Sequence, residues 1–146
     1  MEFLGFIITS IIFLAFVFFY VLYVTKGRVI SKSSKLKLDP DLVHEKWQGV
    51  NLMMKEGGPV NYRQAIIESD KIVDMVLRSK VEGETTGERL KVAKSLFTRH
   101  TYDQLWTAHK IRNKVAHEAE FEGLSSDARL AVRNFKRALN ELGLHL

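Results

Sequence analysis

Arg112-Asn113-Lys114-Val115-Ala116-His117-Glu118 is the stretch where side chains able to do chemistry gather at a meaningful spacing. An imidazole titrates near neutrality and can take or give a proton. A guanidinium keeps its charge and offers a fork of donors that fits phosphate oxygens. An amide can hold either one in place. On an unbroken helix Asn113 and His117 lie one turn apart, with His109 two turns before His117. Arg112, Asn113 and His117 are the candidate catalytic set, and the chemistry they suit is proton transfer at a phosphodiester. His109 and Glu118 are candidate supports.

These residues need a scaffold, and its periodicity is helical throughout. Asp39-Pro40 predicts a helix start, with Val43, Trp47, Val50 and Met54 as its apolar stripe, and Gly57-Gly58-Pro59 ends it. A second helix is predicted from Asn61 to Lys80, with Ile66, Val73 and Leu77 facing inward. Asp70 falls inside that stripe and Asp74 lies one turn on. A carboxylate there needs a partner, so each predicts either a structural ion pair or a group that orients Arg112 or His117. Thr86 is a candidate cap for a short helix from Glu88 to Phe97. Thr101 and Gln104 have the spacing of a capping box for a helix from Tyr102 to Ala119, which carries the motif. Ser125 or Ser126 would cap a last helix, striped by Ala128, Ala131, Val132, Phe135, Ala138 and Leu139 and closed by Gly143. No segment alternates as a strand does. The expectation is an all-α bundle of about five helices over residues 39–146, with Trp47 and Trp106 as core rather than base-stacking platforms.

Ahead of that bundle, Phe3 to Val24 contains no charged residue. As a helix it would span roughly 33 Å, enough for a bilayer core. Thr25-Lys26-Gly27-Arg28 follows where a leader would carry a cleavage site, so residues 1–24 are expected to form one transmembrane anchor. Residues 25–38 are a basic, serine-containing linker. Lys26, Arg28, Lys32, Lys35 and Lys37 follow the anchor and no base precedes it, which predicts the N-terminus outside and the bundle in the cytoplasm. The formal charge of +5 is mostly this run: residues 1–37 hold five bases and one acid, and the remainder is nearly neutral. A nucleic-acid site in the bundle would have to be a local patch.

Several chemistries are excluded by pattern. There is no cysteine and no HExxH, and His109 and His117 would be about 12 Å apart along a helix, too far to share one ion. GxxxxGK[ST] and GxSxG are absent, so no metal or other cofactor is expected. RNKVAHE on a late helix of a small all-α domain resembles the motif of the HEPN superfamily, an Arg followed four to six residues later by His, often with a polar residue directly after the Arg. Asn113 matches that polar position. The resemblance covers residues 40 to 143 in architecture and seven residues in motif. It implies a metal-independent endoribonuclease in which the 2′-hydroxyl attacks the adjacent phosphate. His117 would be the general acid or base, Arg112 would hold the phosphate, and Asn113 would orient one of them. It also implies a homodimer with two motifs across a shared cleft. Five helical steps set Arg112 and His117 about 140° apart, so a second copy could complete the site. The alternative is non-catalytic: Arg112 pairs with Asp70, Asn113 locks against His117, and the anchored domain dimerises or recruits a protein partner.

Overall fold

A computed structural model describes residues 13–18, 20, 38–117 and 124–146. The chain divides into two units, residues 1–34 and 35–146. In the first, residues 13–18 and 20 are helical. Among the described residues no helix is long and apolar enough to cross a membrane. The expected membrane-spanning helix is therefore not among the described elements, and most of Phe3–Val24 lies outside the described residues.

In the second unit every described element is helical: α1 (Pro40–Glu56), α2 (Pro59–Lys80), α3 (Thr86–Val92), a 3-10 turn (Ala93–Leu96), α4 (Arg99–His117) and α5 (Leu124–Glu141). Asp39 caps α1 by accepting the Asp41 N–H at 3.0 Å, with Pro40 in the first turn. The break between α1 and α2 rests on Gly57 (φ 71°) and Gly58 (φ 87°), a left-handed pair that side-chain-bearing residues rarely adopt. Pro59 then opens α2 two residues ahead of the expected start, because its fixed φ suits the first turn. Asn61 instead donates back to the Gly57 carbonyl at 2.9 Å.

α2 is the central element. Within this unit it packs against every other helix, most extensively α5 and α1, while α4 and α5 form an antiparallel pair. Nine of its residues are buried. Around them close Val43, Trp47 and Val50 of α1, Leu90 of α3, Leu105 and Ala108 of α4, and Ala131, Phe135 and Leu139 of α5. Trp47 is core, as expected. Trp106 is only half-buried and meets Tyr102 and His109 edge to face.

Two helix starts differ from the sequence expectation. α3 is capped by Thr85, not Thr86: Thr85 Oγ1 accepts the Glu88 N–H, and Glu88 Oε2 accepts the N–H groups of Glu84 and Thr85. Those bonds hold the Glu88 carboxyl below its ordinary range. α3 also ends at Val92 and tightens into the 3-10 turn. α4 starts at Arg99, three residues early. Thr98, not Thr101, supplies the hydroxyl of its first turn, and Glu141 reaches across from the end of α5 to accept the Thr98 N–H. Thr101 is buried and Gln104 faces α5, accepting from Asn134 and Arg137. Gly143 (φ 94°) closes α5: its N–H bonds to Asn140 and that of Leu144 to Leu139, which tucks Leu144 into the core.

Candidate functional site

The two inward carboxylates of α2 have separate fates. Asp74 accepts from two guanidiniums: Arg89 at 2.7 Å on one oxygen and Arg78 at 2.9 Å on the other. Arg89 is itself buried and also donates to the Gly83 carbonyl. Gly83 must be glycine here, because a Cβ would lie 2.9 Å from the Arg89 backbone and side chain. Asp74 therefore ties α2 to α3 and bonds none of the motif residues.

Asp70 is the carboxylate that meets α4. One oxygen lies 2.8 Å from His109 Nδ1, and the other 3.3 Å from Arg112 Nε. Only 3 % of Asp70 is exposed, so burial demands both partners. The Arg112 contact is an ion pair off the line of a hydrogen bond, since Nε makes none. Arg112 Nη1 donates to Asn113 Oδ1 at 3.0 Å, and Nη2 bonds to none of the described residues. The Arg112 side chain stays 32 % exposed. The guanidinium is thus fixed on one edge and open on another.

His109 is buried, with Asp70 on Nδ1 and Trp106 edge-on to its ring. A carboxylate oxygen at this distance accepts a hydrogen bond from Nδ1–H. His117 is different. It is exposed, and no hydrogen bond joins it to another described residue. Eight helical steps turn the helix about 80° between these two histidines, enough to bury one and expose the other. Asn113 bonds Arg112 rather than His117, so the expected Asn113–His117 lock is not formed. Glu118 lies outside the described residues.

Sequence reasoning missed Arg63. Its Nη1 donates to the Val115 carbonyl, bringing a second guanidinium to the motif end of α4. It lies two turns before Asp70 on α2, a spacing that puts both on one face and was visible in the sequence. The structure therefore assembles Asp70, His109, Arg112 and Asn113, adds Arg63 nearby, and leaves Asp74 elsewhere and His117 in solvent. A depression of about 510 Å³ lined by Lys94, Phe97, Arg99, Tyr102 and Asp103 sits at the opposite end of α4, about 27 Å along its axis from His117. Among the described residues no group of acidic, histidine or cysteine side chains could hold a metal ion. No family model matches the chain, and no curated protein or solved structure is detectably similar to it.

Proposed function

We propose that the bundle is a HEPN-like domain that cleaves RNA without a metal, held at a membrane by residues 1–24 with the bundle on the cytoplasmic side. The observation that carries this reading is the division of labour along the motif. Asp70 and Asn113 fix Arg112 with part of its guanidinium open, while His117 stands in water with no packing role among the described residues. A fixed cation and a free imidazole are what transesterification of a phosphodiester needs. The 2′-hydroxyl gives its proton to a base and attacks phosphorus. The bond to the 5′-oxygen breaks, that oxygen takes a proton, and a cyclic phosphate remains. Arg112 would hold the phosphate oxygens as charge grows on them, and His117 would move one of the two protons. In one chain the two residues diverge around α4, so this reading takes a second copy to bring His117 of one chain to Arg112 of the other.

The test is incubation of the full chain with mixed RNA in EDTA. Cleavage that is lost in His117→Ala and Arg112→Ala, with the His117→Ala fold intact, is the expected result. An intact chain that leaves every RNA whole defeats the proposal.

A second reading has its own observation: Asp70 already satisfies both His109 and Arg112, as a helix-packing cluster would. The domain would then dimerise or recruit a protein partner. Under that reading the motif variants change stability or assembly, and RNA is left uncut.

A further inference from the structure

Outside the motif, the least explained charge lies on α5. Its outward side carries Arg129, Arg133 and Arg137 in single file, one turn apart over about 12 Å, with Lys136 beside them. Elsewhere in the bundle Arg78 and Arg89 share Asp74, Arg112 meets Asp70, and Lys71 meets Glu68. The three arginines of α5 pair with no carboxylate among the described residues. Glu141, the acid one turn beyond Arg137, is turned instead onto the start of α4. Like charges at this spacing repel and weaken the helix that bears them, so packing gives no reason for the row.

Two of the three are also aimed. Arg137 donates to Gln104 Oε1 and to His100 Nε2, and Arg129 donates to Ser125 Oγ at 2.9 Å. None of these partners is a carboxylate, so the guanidiniums are oriented without being neutralised. Contacts between Thr98 and Glu141 and between Gln104 and Asn134 set the antiparallel register of α4 and α5. That register runs the row from the start of α4, at Arg137, toward the end that carries Arg112 and His117.

We propose that Arg129, Arg133 and Arg137 form a track for the backbone phosphates of single-stranded RNA, which feeds the strand toward the motif end of α4. Planar forks suit phosphate oxygens better than ammonium groups do. A single file fits a strand of phosphates rather than the plane of a lipid surface. The assignment of RNA rests on the ribonuclease reading above; the charge geometry does not.

The experiment uses the full chain in non-ionic detergent and a short fluorescein-labelled oligouridylate, with binding followed by anisotropy across a salt series. Arg129→Gln/Arg133→Gln/Arg137→Gln should bind at least about tenfold more weakly at low salt. Its slope of log K against log salt should be shallower by about 2, at roughly 0.7 per lost phosphate contact. Lys46→Gln, an exposed base of α1 outside the row and the motif, should bind like the unaltered chain. Circular dichroism should show the triple variant folded and melting no lower, since repulsion has been removed. A folded triple variant with unchanged affinity and slope overturns the track. So does a triple variant that loses only its binding to phosphatidylserine vesicles while oligouridylate binding is untouched. If the unaltered chain leaves RNA whole but the triple variant alone loses binding, the ribonuclease reading falls and the track stands. If cleavage depends on His117 while the triple variant binds normally, the reverse holds.

Discussion

A carboxyl group nearly sealed from water needs cations or hydrogen bonds to replace the water it lost, and α2 meets that demand twice. Asp74 does so with Arg89 and Arg78. Removing it by Asp74→Ala leaves Arg89, only 3 % exposed, with the Gly83 carbonyl as its remaining acceptor. The expected cost is about 3–5 kcal/mol, read as a fall in the urea midpoint at unchanged slope. Asp70→Ala should cost less, about 3 kcal/mol, because Arg112 can still turn to water. His117→Ala should lie within about 0.5 kcal/mol of the parent, as an exposed side chain without partners does. A large loss there would return His117 to the packing role. The sequence made both carboxylates visible, because they interrupt an apolar stripe. It did not show which cation each would take, since that depends on how helices far apart in the chain are rotated. The motif spacing grouped His109 with His117, yet the accumulated turn of eight residues separates a buried imidazole from an exposed one.

All five helices predicted from the sequence form, the third as a short helix that ends at Val92 and runs into a 3-10 turn, since burying one apolar face is what a short helix needs to persist. Their ends were less legible, and the reasons are particular. Thr85 and Thr86 are adjacent candidate caps, and only Glu88, three residues after Thr85, decides between them. α4 starts earlier than its pattern predicts because the Thr98 that caps it is held by Glu141 from the far end of α5, which no local pattern announces. That contact also sets a pH dependence. Burial pushes the Glu141 carboxyl up, but hydrogen bonds from Thr101 and from the N–H and hydroxyl of Thr98 outweigh it and hold the group below its ordinary range. A carboxylate lowered on folding stabilises above its unfolded pKa, and the contribution is lost as pH falls through the folded value. Glu141→Gln should therefore cost about 0.5–1 kcal/mol at neutral pH, small because the group faces water. The difference from the parent should vanish in acid. Thermal melts of both proteins from neutral pH downward would show the gap close, and a constant gap would mean that the charge contributes nothing.

The formal charge of the chain concealed how charge is distributed. Residues 38–146 balance almost to neutrality, yet α4 and α5 together carry eight bases against three acids, which leaves the rest of the bundle acidic. A sum over the domain averages this away, and only the pairing of two particular helices makes it a surface. The core is divided more cleanly than the charge. Its buried apolar side chains among the described residues all fall between Val43 and Leu144. In the 1–34 unit, Phe13, Leu14, Phe16, Phe18 and Tyr20 are each more than 60 % exposed. Large aromatic and aliphatic side chains left in water would drive association, so an apolar run of this kind calls for a lipid or protein partner. The two units should therefore be separable. A protein of residues 35–146 should be monodisperse, unfold in one cooperative transition, and stay in the aqueous phase when mixed with liposomes. The full chain should float with the liposomes and be released by detergent but not by high salt, because apolar burial is insensitive to the screening that strips a basic linker from anionic lipid. Release by salt alone would assign the attachment to Lys26–Lys37 instead. Aggregation of the 35–146 protein would show that the bundle needs the apolar run for its own stability.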